Sequence, residues 1–568
     1  MAYTEESRIM HNATAQTTKE YIVIILIGLV TSTAIALFLK LFQYISTLID
    51  EILSMNNVLL FLTVPIGLLA AYLVVIYLAE IKKTGCGTHG FLLSYHFHEG
   101  FASLKDTIVK ATASAITMGC GGSAGLEGPS LAIGGGIASA IARLFKVREE
   151  KMARFFLAGG AAGLSAVFRA PLTGLLFALE IPYKRDIERD VFVDAAIASV
   201  ISYLVFVSIY GVETLFPLYT KILPITAIDV IYALILGVIA GVIGKIFVVS
   251  FLFVKHRIVR IRNRNVKFFL PIIGGLLLAL IGFIEPRVLG VGYETIHDLI
   301  LGRNKSILLL ILLIIFKIIA TTITLNFGGS GGLFIPSIYV GAALGALFAF
   351  LTEEPVEVYV MVGMTAVLAA TNKTLLTAVA FTAETVGPAS IIPSLIAATT
   401  SYFLSGSESF YDLQPVHRPT EKIHILQDLY HRLSTYNPRI LKEVKVKEVM
   451  VKPIAVLDGR MRINEAINKA QKYAFRIFPV ISDDGRLEGF VALEDLLSFT
   501  EKSRNLPVSL ANVRPVLKFK PEDSIGYAIE KMFEENMDKA AVVDEEDRLI
   551  GIITTKDILR KLAVYRLR

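Results

Sequence analysis

One acidic residue, Glu127, stands inside a glycine-rich tract, Gly121-Gly122-Ser123-Ala124-Gly125-Leu126-Glu127-Gly128-Pro129-Ser130, embedded in long apolar sequence. An ionisable side chain in that setting is costly and usually there for function. A carboxylate is itself an anion, so it can hold a place that suits a dissolved anion and give it up on protonation. The chemistry indicated is anion passage gated by a proton-sensitive side chain. The competing role is a carboxylate that permanently caps the amides of a helix start.

The tract returns 207 positions later as Gly328-Gly329-Ser330-Gly331-Gly332-Leu333-Phe334-Ile335-Pro336-Ser337. A glycine-rich break leaves backbone N–H groups unpaired at the start of the following helix, which a bilayer tolerates only where the backbone is buried or lines a cavity. Helix N-termini carry partial positive charge and free donors, so two such ends meeting near the midplane form a cage for an anion. The copies differ where the first has Glu127 and the second Phe334. A second block, Gly159, Leu172, Thr173, Phe177 and Glu180, recurs at a spacing of 204 as Gly363, Leu376, Thr377, Phe381 and Glu384. Two homologous halves, about 21–210 and 225–404, follow from these spacings, which leave open whether the halves are inverted or parallel. Glu180 and Glu384 both end apolar segments, where a helix-end or interfacial role competes with proton handling.

These features must be carried by a polytopic membrane domain. Apolar residues make up 54% and charged residues 19% of the 568, and apolar runs long enough to span a bilayer recur from about Tyr21. Residues 1–20 read as a polar cytoplasmic leader without the apolar core of a secretory signal. Cations concentrate at Lys82-Lys83, Lys184 to Arg189 and Lys255 to Lys267, whereas Asp50-Glu51 and Val212–Pro224 lack them, so both termini are expected on the cytoplasmic side of the cell membrane. The net charge of +6 sits largely in those loops and calls for no nucleic-acid partner. Cys86 and Cys120 are the two cysteines, and no disulfide framework is indicated.

Membrane sequence ends near Leu404, and a soluble region begins after His417-Arg418-Pro419. The membrane domain is therefore assigned to 21–418 and a linker to 419–443. Residues 444–568 hold a second duplication at a spacing of 62, with units of about 444–500 and 506–562: Pro453 pairs with Pro515, Ile463 with Ile525, Val480 with Val542 and Asp495 with Asp557. Each unit alternates helices and strands: a helix over Ile463–Lys472, a strand over Ile477–Ile481, a charged turn at Asp483 to Arg486, then a strand and a helix opening at Glu494-Asp495.

Together these residues resemble the CLC family of chloride channels and chloride/proton antiporters, with a C-terminal pair of CBS domains. Gly125-Leu126-Glu127-Gly128-Pro129 is similar to the family's Gly-Lys/Arg-Glu-Gly-Pro motif, Gly332-Leu333-Phe334-Ile335-Pro336 to Gly-x-Phe-x-Pro, and Tyr411 in Ser409-Phe410-Tyr411-Asp412 to its pore tyrosine. The resemblance implies an all-α membrane domain of two inverted repeats, in a homodimer with one pore per subunit, followed by a soluble α/β tandem CBS domain. Chloride would be held by amides around Gly125, Leu126, Glu127 and Gly128, by those of Leu333, Phe334 and Ile335, and by the Tyr411 hydroxyl. Glu127 would be the external gate, and protons the coupled ion.

Several residues depart from the family pattern. Gly85-Cys86-Gly87-Thr88-His89 stands for Gly-Ser-Gly-Ile-Pro, so the thiol of Cys86, a poorer donor, replaces the anion-contacting serine, unless Cys86 merely packs. Leu126 removes a cation at the entrance. Ile181 stands at the internal proton-transfer glutamate of many antiporters, with Glu180 beside it. In the tail, Thr554 and Asp557 match the pattern that contacts ribose and phosphate of an adenine nucleotide, whereas the first unit keeps Asp495 but has Ala492 for the threonine. The alternative there is a purely structural dimerisation module.

No enzyme is indicated. Neither glycine tract ends in the Lys-Ser/Thr of a phosphate loop, and no nucleophile–base pair is evident. His96, His98 and Glu99 form a cluster better read as an interface than a metal site, and no cofactor is required. A proton-coupled chloride antiporter and a passive chloride channel gated by Glu127 remain, with a sensor of vestigial pore a more distant third.

Overall fold

The computed structural model describes residues 2–216, 226–261, 263–303, 306–387 and 391–418, and in the tail 426–427, 429–431, 433–434, 438–453, 455–473, 476–499, 501–535 and 537–566. Residues 217–224 of the cation-poor loop, Arg262 and residues 419–425 of the linker lie outside them. The chain divides into two units, Met1–Arg418 and Pro419–Arg568.

The first half of the membrane unit runs α1 (Ala2–Met55), α2 (Leu60–Leu78), α3 (Gly87–His98), α4 (Leu104–Gly119), α5 (Glu127–Leu144), α6 (Glu149–Phe168), α7 (Pro171–Glu180) and α8 (Phe192–Tyr210). The second runs α9 (Ala227–Val259), α10 (Arg264–Ile284), α11 (Tyr293–Ile300), α12 (Ile307–Asn326), α13 (Phe334–Thr352), α14 (Val356–Asn372), α15 (Leu375–Thr385) and α16 (Ile391–Leu404). The order repeats, and so does the packing: α5 lies on α6 as α13 lies on α14, and α6 on α8 as α14 on α16. Helix α1 takes in the polar N-terminal stretch, and its apolar part is Thr18–Met55.

Among the described residues, seven helices are long and apolar enough to cross a membrane. In α13, 83% of the apolar window is buried by protein, against 33% for the span containing α8, so α13 is an inner helix while α8 turns most of its surface outward. Close approach of helices uses small residues, since lipid offers no hydrophobic gain for bringing apolar helices together. A Cβ on Gly134 of α5 would lie 1.9 Å from the Gly159 carbonyl of α6. The corresponding pair, Gly341 and Gly363, would meet at 2.3 Å.

The halves are inverted. Glu180, at the C-terminal end of α7, accepts from the amides of Leu376 (2.9 Å) and Thr377 (2.7 Å) and the Thr377 hydroxyl (2.6 Å) at the start of α15. Glu384, near the end of α15, accepts from Leu172 (2.9 Å), Thr173 (2.7 Å) and the Thr173 hydroxyl (2.7 Å) at the start of α7. Equivalent helices with each C-terminal end on the other's N-terminus run antiparallel.

The tail is described by itself. Strands β3 (Leu457–Asp458), β4 (Ile477–Ile481) and β5 (Leu487–Ala492) form one sheet, and β6 (Lys518–Phe519), β7 (Lys539–Val543) and β8 (Leu549–Thr554) another of the same topology. The first pair in each is parallel and the second antiparallel, with register shifts at the equivalent places, Val480/Ile481 and Val542/Val543. Helix Ile463–Ala470, two residues shorter than expected, buries Ile463, Ala466, Ile467 and Ala470 against Phe478 and Val480.

Candidate anion site at the junction of the halves

Three chain breaks converge where the halves meet. Gly85-Cys86 (β1) pairs in parallel with Ser330-Gly331 (β2), and the Gly125 amide donates to the Gly332 carbonyl at 2.9 Å. These pairings satisfy backbone that the glycine breaks expose. They also commit the Gly125 amide, which therefore shapes the turn rather than offering a free donor. Leu126 and Leu333 are the N-caps of α5 and α13, so Glu127, Gly128, Phe334 and Ile335 fall in first turns, whose amides have no partner within their own helix.

Glu127 is fully buried and reaches across to the other half: its Oε1 accepts from the Phe334 amide at 2.6 Å. The Ile335 and Gly128 amides also act on the carboxylate. A Cβ on Gly332 would fall 1.8 Å from Oε1 and one on Gly125 2.0 Å from Oε2, so both tracts must be glycine there for the carboxylate to be seated. Among the described residues, no direct hydrogen bond is made to Oε2. The acidic side chain of one repeat thus sits on the helix N-terminus of the other, where a negative charge is favoured.

The Phe334 ring packs against Phe168 (4.9 Å), Phe177 (5.5 Å) and Phe381 (5.1 Å). Phe177 and Phe381 are repeat equivalents, so the Phe334 ring packs between matching residues of the two halves.

Tyr411 is buried, and its hydroxyl donates to Asn372 Oδ1 at 2.6 Å. Its segment is held by Ser409 Oγ, which accepts from the Tyr411 amide (3.2 Å) and donates to Gln414 Oε1 (2.7 Å), and by Gln414 Nε2, which donates to the Ile181 carbonyl (2.8 Å). Asn372 was not legible as a site residue. Its signal is a departure between copies, because 204 positions earlier the first half has Phe168, which faces the Phe334 ring instead.

Other expected residues are placed as follows. Cys86 is the N-cap of α3 without a side-chain capping bond, and its thiol neighbours Glu127 and the Thr88 and His89 amides. Ile181 is buried, an apolar side chain next to Glu180. Glu180 is apart from Glu127 in role, as the cap of α15 described above. Lys255, expected as a loop cation, is tied to Asp412 at 3.0 Å, which also meets His89 at 3.1 Å. His96 Nε2 lies 3.0 Å from the Pro182 carbonyl.

In the tail, Thr554 and Asp557 are brought together. The Thr554 hydroxyl donates to Asp557 Oδ2 at 2.6 Å, and the Asp557 amide donates to Thr554 Oγ1 at 3.2 Å, a reciprocal cap at the start of helix Thr555–Arg566. In the first unit Asp495 instead pairs with Arg514 at 3.2 Å.

Comparison with known proteins agrees with this architecture. The sequence profile described as "Voltage gated chloride channel" matches residues 66–406, and the CBS domain profile matches 446–502 and 510–564. An uncharacterized protein of Methanocaldococcus jannaschii is 28% identical over 65% of this chain and 90% of its own length. The H(+)/Cl(-) exchange transporter ClcA of Klebsiella pneumoniae is 30% identical over 47% of this chain, which spans only 59% of that relative. The crystal structure of a eukaryotic CLC transporter superposes with a TM-score of 0.63 over 95% of this chain and 98% of its own, at 18% identity, a likeness of fold. With a profile covering most of the membrane unit, the chain belongs to the voltage gated chloride channel, or CLC, family and carries two CBS domains behind its membrane part.

Proposed function

We propose that this CLC-type anion transporter exchanges chloride for protons, with Glu127 as both gate and proton carrier. The observation that carries the reading is the 2.6 Å bond from the Phe334 amide to Glu127 Oε1. Donors that hold a carboxylate suit chloride equally, so the two compete for one place. Protonation removes the charge, the side chain leaves, and chloride takes the amides of Gly128, Leu333, Phe334 and Ile335; return of the ionised side chain expels it. Cys86 and Tyr411 line the same space. The likeness to a named H(+)/Cl(-) exchange transporter supports the coupling.

A passive channel is the second reading, favoured by buried, apolar Ile181 and by Glu180 being bound up as a helix cap. Vesicles containing the purified protein, given a chloride gradient and no proton gradient, separate the two. Uphill proton movement is the result expected of exchange; chloride flux without it makes the protein a channel.

The assembly proposed is a homodimer with one pore per subunit in the cell membrane, with both termini and the CBS pair in the cytoplasm. Thr554 and Asp557 are proposed to contact an adenine nucleotide that regulates transport.

A further inference from the structure

The Tyr411 hydroxyl can donate one hydrogen bond, and three fully buried neighbours decide where it goes. Its acceptor is Asn372 Oδ1, at 2.6 Å. Which end of the Asn372 amide meets Tyr411 is settled on the far side, where Nδ2 lies 3.0 Å from Thr371 Oγ1 and 3.4 Å from Ser337 Oγ. Ser337 donates to the Leu333 carbonyl at 2.8 Å, and Thr371 donates to the Val367 carbonyl or to Ser337, each at 2.9 Å. Both hydroxyls have thus spent their one donor and can only accept from the amide. The Nδ2 end must face them, and Oδ1 is left to Tyr411. Because Ser337, Thr371, Asn372 and Tyr411 are all fully buried, where an unmade hydrogen bond is costly, the phenol is compelled to donate to that oxygen.

This polarity matters because Tyr411 stands at the anion site, within electrostatic reach of Cys86 and Glu127. Anions are bound by donors. With its hydrogen bond donated to Asn372, the Tyr411 hydroxyl has only lone pairs left to offer, to Thr88 beside it or to the site. The network belongs to the second half alone: Ser130 bonds the Leu126 carbonyl at 2.8 Å as Ser337 bonds that of Leu333, but Val167 and Phe168 stand where the second half has Thr371 and Asn372. The backbone that carries Tyr411 is held without the Asn372 side chain, by the Phe410 amide on the Thr371 carbonyl (3.2 Å) and by Gln414 Nε2 on the Ile181 carbonyl (2.8 Å).

We propose that Asn372 is a positioning residue that sets how tightly the site holds a halide: by accepting the Tyr411 hydrogen bond it withholds that donor and leaves the anion to the amides of the helix starts. The assignment rests on the anion-transport reading above. A transported ion has to leave as well as enter, and a site relieved of one strong donor releases it sooner.

The test is chloride binding to the full-length protein by calorimetry, with flux in vesicles alongside, for the wild type, Asn372→Leu, Tyr411→Phe and the double variant. Leucine keeps the size of asparagine and removes the acceptor, so the Tyr411 hydroxyl is free to turn to the anion. The chloride dissociation constant of Asn372→Leu should fall about tenfold, or 1.4 kcal/mol. Adding Tyr411→Phe should abolish that gain, so the tyrosine substitution costs about tenfold more beside leucine than beside asparagine. Lost packing gives no such gain. Melting curves check folding, and Asn372→Ala takes the place of the leucine variant if that fails to fold. Unchanged or weaker binding in the variant without the acceptor overturns the assignment, as does a gain that survives Tyr411→Phe. Wild-type protein that moves no chloride overturns the transport reading and this assignment together; wild-type flux with additive effects of the two substitutions overturns this assignment alone.

Discussion

Glu180 and Glu384 cap each other's helices: each carboxylate takes two amides and one threonine hydroxyl at the start of the helix that carries the other. This reciprocity locks α7 against α15 at the junction of the inverted halves. Glu180→Gln should lower the unfolding temperature, by the equivalent of about 1 kcal/mol for a weakened cap, and leave the proton-to-chloride ratio of the folded protein unaltered. Loss of coupling with stability intact would instead assign Glu180 to the proton route.

Glu127→Gln retains the shape of the gate but cannot gain or lose a proton. Proton movement driven by chloride should disappear, and chloride flux should become largely independent of pH. Flux in vesicles between pH 4.5 and 7.5 is the measurement, and a pH dependence like that of the wild type would remove Glu127 from both roles.

Gly332→Ala should reproduce that behaviour without touching an ionisable group. The added Cβ would sit 1.8 Å from Glu127 Oε1, inside any permitted contact, so the carboxylate must leave its seat on α13. Chloride flux with lost proton coupling is expected. A coupled Gly332→Ala protein would show that the seated position is not part of the cycle.

Asp186, in the loop after α7, fastens the segment that follows Tyr411, accepting from the Ile187 amide (2.8 Å) and the Arg418 amide (3.0 Å). Partial burial works to raise its pKa, but those two amides, with Arg189 and His417 nearby, outweigh it and hold the carboxyl below the usual carboxylate range. A depressed folded value means that the stabilisation is complete above the unfolded pKa of about 3.9 and is lost as the pH falls through the lower folded one. The melting difference between wild type and Asp186→Asn should hold steady from pH 7 to 5 and shrink progressively once the pH falls below the unfolded value of about 3.9. A difference that fades between pH 7 and 5 would point to another group.

The two CBS units are unequal at the proposed nucleotide contacts. Thr554 and Asp557 are paired with each other, whereas the first unit has Ala492 and an Asp495 bound to Arg514. Calorimetry on the full chain should find one adenine nucleotide per chain, weakened about tenfold by Thr554→Val through loss of a hydroxyl contact worth about 1.4 kcal/mol. Two nucleotides per chain would show that the first cleft works without the threonine.

Much of the design is written locally. The glycine breaks, the spacings of 207 and 204, the acidic residue at one break and the duplication in the tail are all properties of residues read in order. The most informative positions are those where the copies disagree: Glu127 against Phe334, and Phe168 against Asn372. The first of these was legible because a charge in apolar sequence stands out, whereas an asparagine near a helix end does not.

What the sequence determined alone was the existence of two related apolar halves, a helix start in each that bares its amides, and a carboxylate at one of them, because composition and periodicity act over a few turns of chain. Tertiary structure decided the rest: that the halves are inverted, that Glu127 bonds an amide 207 residues away, that Glu180 is a cap, and that the Tyr411 hydroxyl donates its hydrogen bond to Asn372. Each depends on which groups lie within about 3 Å of one another across the junction, and hydrogen bonds are too short in range for that to be read from spacing along the chain.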